Sequence, residues 1–248
     1  MRLQDHMATS GTLLFRWRSY LPLVFVPFIL LSVLEGPKIE LAVGSALAWV
    51  WSLLCIAMVA LGEIIRILTI AFVPSGTSGR NVEGQKADVL NTTGIYSVVR
   101  NPLYLGNCLM YVGIALFSQS LLLALVMALV LLPYYERIIA AEESYLSGKF
   151  GAAYDEWTAV TPVFIPVVAG WVKPSMRFSW KMVIRREHAS IFGGILALYL
   201  IAVGLHWAGP RTTPMASVWH WLMAVAVVAE ALALWLKLKT PFLDIHDR

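Results

Sequence analysis

Long stretches without a charged residue are the feature that most restricts how this chain can fold. Residues 19–34, 41–62 and 101–135 contain no Asp, Glu, Lys or Arg, and one membrane crossing needs roughly 17–25 apolar residues. The chain is 59% hydrophobic and 14% charged, whereas soluble domains average about 45–50% and 25%. This pattern predicts an integral membrane protein.

The apolar stretches predict about six transmembrane helices. The stretch 101–135 is too long for one crossing, and the polar Ser118-Gln119-Ser120 near its middle can reverse the chain, so it is interpreted as a tight helical hairpin. The turn-forming Gly209-Pro210 separates the last two crossings. The crossings are expected at 19–34, 41–62, 101–135 (two), 189–209 and 217–236. We therefore expect an all-α, single membrane domain over residues 1–248, in which the last two crossings (188–237) are additional to the core.

The distribution of Lys and Arg predicts the orientation, because cytoplasmic loops carry the excess of basic residues. With six crossings, 17 of the 19 basic residues fall on one side and only Lys38 and Arg211 on the other. Both termini and the polar loops 75–100 and 141–187 are thus expected in the cytoplasm. The net charge of +4 then reflects contact with anionic lipids rather than nucleic-acid binding. Cys55 and Cys108 lie in predicted crossings, where packing is a more common role than metal binding.

The first candidate site segment covers residues 75–104. Its glycines at 76, 79, 84 and 94 allow tight turns, and Pro102 suits the first turn of a helix. Unpaired amides at that helix start, together with Arg100, could hold a carboxylate or phosphate. An ordinary loop followed by an ordinary helix explains the same residues.

The second candidate segment, residues 134–166, places charged residues at the end of an apolar crossing. Such residues usually face a protein interior or a wet cavity. Glu142 and Glu143 point in directions about 100° apart on a helix, so they can serve different ligands. Alternatively, the helix emerges among the lipid head groups with Glu143 exposed and Arg137 reaching lipid phosphates.

The order of these pieces resembles the isoprenylcysteine carboxyl methyltransferase and phospholipid methyltransferase superfamily. Over about residues 60–168 the chain has Gly94-x-Tyr96, Arg100-Asn101-Pro102-x-Tyr104-x-Gly106, an apolar hairpin, Glu142-Glu143-x-x-Leu146, Phe150-Gly151-x-x-Tyr154 and Ile165-Pro166. The resemblance implies a membrane-embedded enzyme whose S-adenosylmethionine enters from the cytoplasm, while a lipophilic substrate arrives through the bilayer.

The resemblance also implies site residues. The cofactor-binding residues are expected to be Val89, Leu90, Asn91, Tyr96, Asn101, Pro102, Leu103, Tyr104 and Glu142, joined by Arg100 from the helix-start argument. Arg137 and Glu143 are the expected catalytic residues, although Arg137 is one position away from the usual spacing. Asn101 stands where the family typically has histidine, and its amide can still donate a hydrogen bond. A sulfonium cation requires a carboxylate and aromatic faces, which Glu142, Tyr96 and Tyr104 supply.

The resulting hypothesis is methylation of a membrane-associated lipid or lipidated substrate, at a carboxylate or phosphate oxygen of its head group. The basic, aromatic segment 170–187 is expected to lie along the membrane surface and to contact anionic lipids or that head group. The alternatives are N-methylation of a phospholipid amine, an NADPH-dependent reductase of the steroid reductase type, and a non-catalytic scaffold or transporter. The last is disfavoured because polar residues gather at one face rather than at the bilayer midplane.

Overall fold

The computed structural model describes residues 3–74, 87–209 and 216–245. Within these ranges the chain forms ten α-helices and no β-sheet strand. The helices are α1 (Leu3–Trp17), α2 (Leu21–Val24), α3 (Val26–Leu34), α4 (Lys38–Val43), α5 (Ser45–Ala71), α6 (Pro102–Phe117), α7 (Leu121–Phe150), α8 (Ala152–Val160), α9 (Trp180–Ala208) and α10 (Ala216–Lys239). The expected all-α fold is confirmed.

Five apolar helical spans in the described residues are long enough to cross a membrane: Pro22–Val43, Ser45–Ala71, Leu121–Phe150, Trp180–Ala208 and Val218–Lys239. The sixth expected crossing is α6, whose 16 residues span about 24 Å at 1.5 Å per residue. The hairpin prediction is confirmed, since α6 and α7 are joined at residues 118–120. The protein is therefore an integral, multi-pass membrane protein.

The first span is broken rather than a single straight helix. Prolines stand in the first turns of α2 and α3, where a missing N–H costs no helical hydrogen bond. Gly36 has a φ of +82°, a conformation that side-chain-bearing residues rarely adopt. The chain therefore turns between α3 and α4 before α5 begins.

Two long helices extend further than the apolar stretches predict. Helix α5 continues past Gly62 to Ala71, and α9 begins at Trp180 rather than near residue 189. The added turns contain charged residues that pair with each other between helices, and Ser179 caps α9 by accepting a hydrogen bond from the Met182 amide. The second half of the expected basic surface segment 170–187 forms the first turns of α9.

The N-terminal helix α1, which the sequence did not predict, packs against the second half of α7. A side chain at Gly11 would collide with the backbone, because an added Cβ would lie 1.9 Å from the Arg137 carbonyl oxygen. The Tyr134 hydroxyl donates a 3.0 Å hydrogen bond to the Leu14 carbonyl, and Phe15 is buried in the same contact. Helix α1 is therefore a close structural partner of α7.

The hairpin turn is fixed at the other end of the bundle. The Ser32 hydroxyl lies 3.0 Å from the Ser118 hydroxyl, and the Gln119 side chain accepts hydrogen bonds from the Ile39 and Glu40 amides. The Trp51 indole donates to the Leu116 carbonyl at 3.0 Å. These contacts hold α3, α4 and α5 against the turn, so the described loops 87–101 and 161–179 meet at the opposite end.

Candidate active site

A cavity of about 660 Å³ lies between the helices at the end where these loops meet. All ten expected cofactor-binding residues line it: Val89, Leu90, Asn91, Tyr96, Arg100, Asn101, Pro102, Leu103, Tyr104 and Glu142. We call the part of the cavity that these ten residues line the loop end. The cavity continues to a second part lined by Arg66, Asn107, Glu187 and Gly193, which we call the inner end. The expected glycines at 76, 79 and 84 lie outside the described residues.

The loop that carries the first cofactor candidates is fixed by its backbone. Gly94 has a φ of +62° and pairs with Val172, whose carbonyl accepts a 2.9 Å hydrogen bond from the Gly94 amide. The Ser97 hydroxyl donates to the Gly94 carbonyl at 2.7 Å and accepts from the Val172 amide at 2.9 Å. The residues after α8 thus hold the turn that presents Tyr96.

Three further bonds join the loop end to the chain around α8. The Trp157 indole donates to the Tyr96 carbonyl at 3.1 Å, and the Arg100 amide donates to the Pro162 carbonyl at 2.9 Å. The Asn101 side-chain amide donates to the Val163 carbonyl at 3.1 Å. Asn101, which stands where the family typically has histidine, therefore links the start of α6 to the chain after α8 and also forms part of the cavity wall.

The start of α6 offers backbone donors to the cavity. Pro102 is buried at the first helical position, and the first amide of α6 to bond a helix carbonyl is that of Leu105, which donates to Asn101 at 3.1 Å. The amides of Leu103 and Tyr104 precede it, and the first amides of a helix have no partner within the helix. They can hold an anionic group at the cavity wall.

Glu142 is the carboxylate that faces the loop end. Its Oε1 accepts a 2.9 Å hydrogen bond from the Tyr104 hydroxyl and lies 3.7 Å from Nη1 of Arg18. The Tyr104 ring packs 4.9 Å from the Tyr135 ring. Arg18, at the end of α1, also lines the cavity, so α1 contributes a cation to the site that the motifs did not indicate.

Glu143 turns to a different partner, as the helical spacing predicts. Its Oε1 lies 3.1 Å from Nη1 of Arg100, and Tyr154 is buried nearby. Burial raises the pKa of Tyr154, and the Glu143 carboxylate raises it further, so the phenol is protonated at neutral pH. Glu143 does not line the cavity but braces Arg100, which does.

Arg137 lies outside the cavity. Its side chain is exposed on α7, and its carbonyl is covered by Gly11 of α1. Glu143 pairs with Arg100 instead. The structure therefore brings Glu142, Tyr104 and Arg100 together and leaves the expected catalytic Arg137 apart from them.

A second charged group, which the sequence reasoning missed, forms the inner end. Nε and Nη2 of Arg66 donate to Oε2 of Glu187 at 2.9 and 2.7 Å, and Nη1 donates to the Asn107 side chain. Glu187 is 2% exposed. The Ser190 hydroxyl donates to Glu63 at 2.9 Å. Helices α5, α6 and α9 are therefore joined by one buried polar network.

The signal for this network was present in the sequence. Glu63 and Arg66 directly follow an apolar stretch, and charges at such depth are functional candidates. Because the second crossing was expected to end at Gly62, both residues were assigned to a loop. Nothing in the sequence indicated Glu187 as the partner, since it lies 121 residues from Arg66.

The remaining polar features have structural roles. Glu230 lies 2.9 Å from Nδ1 of His188, and Lys237 lies 3.1 Å from the other ring nitrogen, so Glu230 belongs to a hydrogen-bonded group that joins α9 and α10. Cys55 is buried, Cys108 is partly buried, and neither forms a disulfide. In the described part of the chain, no three His, Cys, Asp or Glu side chains converge as metal ligands.

Comparison with known proteins places these residues in a family context. Residues 50–153 match the family model for phospholipid methyltransferases, which includes α6, α7 and the loop end of the cavity. No solved structure matches the chain.

Curated relatives fall into two groups. Over 85 residues the chain is 36% identical to the nickel-cobalt-cadmium resistance protein NccN of Alcaligenes xylosoxydans xylosoxydans, covering 34% of this chain and 39% of that protein. It is 29% identical over 116 residues to the protein-S-isoprenylcysteine O-methyltransferase of Schizosaccharomyces pombe, covering 46% of this chain and 48% of that protein. The chain thus spans between two fifths and a half of the length of these relatives.

A plant relative is matched over more of its length. The chain is 30% identical over 147 residues to protein-S-isoprenylcysteine O-methyltransferase B of Arabidopsis thaliana, covering 56% of this chain and 72% of that protein. This coverage agrees with the family model and with the motifs that line the cavity. The chain belongs to the isoprenylcysteine carboxyl methyltransferase and phospholipid methyltransferase superfamily.

Proposed function

We propose that this protein transfers a methyl group from S-adenosylmethionine to a membrane-associated lipid or lipidated acceptor. The observation that supports this most directly is the convergence of loop 87–101, the start of α6 and Glu142 on one cavity. A volume of about 660 Å³ suits a cofactor-sized ligand, since such pockets usually measure about 300–1,000 Å³.

The residues of the loop end fit S-adenosylmethionine. Glu142 supplies a negative charge for its cationic groups, and its side chain keeps 27% exposure toward the cavity. Tyr96 and Tyr104 supply aromatic faces for a sulfonium. The Leu103 and Tyr104 amides suit the carboxylate of its amino-acid moiety. The cationic groups and the carboxylate of the cofactor therefore each have a partner of suitable type.

The chemistry requires little of the protein beyond alignment. The cofactor supplies a methyl group whose bond to the sulfonium sulfur breaks as a bond to the acceptor oxygen forms, giving a methyl ester and a neutral thioether. A carboxylate or phosphate acceptor is already deprotonated at neutral pH, so the chain needs no general base. The role of the cavity walls is to hold the two reactants in line.

We propose an oxygen of an anionic head group as the methyl acceptor. Four arginines line the cavity: Arg18, Arg66, Arg100 and Arg186. The plant and yeast relatives carry names that describe O-methylation of an isoprenylcysteine. A cationic amine would be disfavoured beside these guanidinium groups. N-methylation of a phospholipid is the alternative, and the test must distinguish it from O-methylation.

We further propose that the cavity faces the cytoplasm, where S-adenosylmethionine is available. The distribution of 17 basic residues against two supports this orientation. A cytoplasm-specific reporter fused after Arg248 should be active, whereas one inserted beside Lys38 should not. The opposite pattern would overturn the cytoplasmic site.

The cofactor is tested by thermal unfolding of the purified protein. S-adenosylmethionine or its demethylated product should raise the melting temperature, because a ligand that binds the folded state stabilises it. Transfer of label from methyl-tritiated S-adenosylmethionine to N-acetyl-S-farnesylcysteine, but not to phosphatidylethanolamine, would support the oxygen acceptor. Stabilisation by NADPH alone would favour a reductase and refute the proposal.

A further inference from the structure

We infer that helix α9 forms the acceptor site: the apolar chain enters between α3 and α9 past Gly193, and its anionic head group binds Arg66, which Glu187 holds in place. This inference rests on the proposed methyl transfer and adds where the acceptor binds and which helix selects it. Helix α9 lies outside the matched residues 50–153.

The cavity extends well beyond the cofactor candidates. Its inner end is lined on one side by Val26 and Ile29 of α3 and on the other by Gly193 and Ala197 of α9. Met110 contributes further apolar surface from α6. An apolar chain that enters from the bilayer would remain in apolar surroundings here, because lipid tails are about as apolar as these side chains, while the loop end remains available for the cofactor.

The surroundings of two glycines on α9 indicate an opening of the cavity between α3 and α9. Gly193 lines the cavity and is also exposed, and a Cβ added there would meet nothing within 4 Å. The two helices touch farther along, where a Cβ on Gly204 would lie 2.5 Å from Val33. These glycines are separated by about 16 Å along α9 at 1.5 Å per residue. The contact at one point and the gap at the other leave a lateral entrance within an apolar span.

Arg66 is suited to hold the head group at the end of this entrance. A guanidinium carries five N–H donors, and three of them bond Glu187 and Asn107. These bonds fix the orientation of Arg66 on the cavity wall and leave two donors for a carboxylate or phosphate oxygen. The partner that fixes it comes from α9, so α9 supplies both the entrance and the support for the acceptor-binding cation.

The test is Gly193→Phe, with Gly148→Phe as the matched control. Both glycines are helical, and an added Cβ meets open space at each, but Gly148 does not line the cavity. The probes are N-acetyl-S-farnesylcysteine and the shorter N-acetyl-S-geranylcysteine. Gly193→Phe should lower kcat/KM for the farnesyl probe at least about tenfold and for the geranyl probe less, since pocket size discriminates chains by such factors.

Stabilisation by S-adenosylmethionine is measured in parallel and should equal that of the parent. Farnesyl methylation at the parental rate by Gly193→Phe, or an equal loss in Gly148→Phe, would overturn the inference. If Gly193→Phe fails to bind the cofactor, the smaller Gly193→Leu variant is measured instead, and the same outcomes support or overturn the inference. A parent that binds S-adenosylmethionine but methylates neither probe refutes the acceptor class, whereas a parent that binds no S-adenosylmethionine refutes the proposed function itself.

Discussion

The two ends of the cavity are built in different ways. At the loop end, residues 89–104 form most of the wall, and hydrogen bonds from the chain around α8 hold their backbone. At the inner end, three helices each contribute side chains that are far apart in sequence, and an ion pair joins them. The loop end is mostly a local motif that a family can share, while the inner end also depends on α9, which lies outside the matched residues 50–153.

Removing one partner of the inner ion pair should have the largest effect on stability. Glu187→Gln removes the carboxylate that is hydrogen-bonded to Arg66 and leaves Glu63 as the remaining acidic neighbour. Breaking such a buried pair costs up to about 3–5 kcal/mol of unfolding free energy. Thermal unfolding in detergent measures the loss. The double replacement Arg66→Met with Glu187→Leu should recover most of it, because it removes both charges. An unchanged melting temperature in Glu187→Gln would mean that the inner end is not held by this pair.

At the loop end, charge should matter for cofactor affinity rather than for folding. Glu142→Gln removes the negative charge beside Tyr104 and should weaken S-adenosylmethionine binding roughly tenfold to a hundredfold, equivalent to about 1.5–3 kcal/mol. Titration by calorimetry measures this directly.

Glu143→Gln, at the adjacent position, is the control for that substitution. Glu143 contacts Arg100 but does not itself line the cavity. Because of this position, the substitution removes only the charge that braces Arg100 and should weaken cofactor affinity less than Glu142→Gln does. Equal losses of affinity in both variants would contradict the separate roles of the two carboxylates.

A smaller effect is expected where the loop backbone is strained. Gly94→Ala puts a Cβ at a φ of +62° and 3.2 Å from the Pro174 side chain, in a region that costs about 1–3 kcal/mol for residues other than glycine. The affinity for S-adenosylmethionine should fall as Tyr96 loses its position. Gly170→Ala, next to the same loop but without a positive φ, should change the affinity less.

The smallest effect concerns the bond between Asn101 and Val163. Asn101→Ala removes one side-chain hydrogen bond, worth about 1 kcal/mol. Hydrogen exchange near residues 161–165 should be faster in Asn101→Ala, because this segment loses its bond to Asn101. Asn101→His should keep more protection than alanine because an imidazole N–H can also donate. Equal exchange rates in the parent and in Asn101→Ala would show that the Asn101 side chain does not stabilise this segment.

The sequence predicted the parts of the molecule that depend on local pattern. Uninterrupted apolar stretches located the spans, and the turn at Ser118 followed from a polar break in a stretch too long for one crossing. The cofactor residues were predicted through a motif whose spacing is local. Whether they bind the cofactor stays a prediction.

The inner end could not be predicted because long-range pairing has no local signature. Arg66 and Glu187 each look like residues at the edge of an apolar helix, and only the packing of α5 on α9 gives them a common site. The position of Arg18 depends on α1 packing against α7, which no motif specifies. The family resemblance implied an arginine shortly before the paired glutamates and pointed to Arg137, but α7 places this side chain on its exposed face.

The separation of Arg66 from Glu187 also affects how the protein is made. A ribosome that adds about 5–20 residues per second takes about 6–24 s to synthesise the 121 residues between them. During this interval α5 must insert with an arginine whose permanent counter-ion does not yet exist. The cost is below the value of about 2.5–3.5 kcal/mol that insertion measurements give for a central position, because Arg66 lies near the end of α5. Glu63, one turn earlier on α5, can offset part of that cost until α9 arrives. The nascent helix is therefore expected to wait near the membrane surface and to reach its final depth only after α9 has been released.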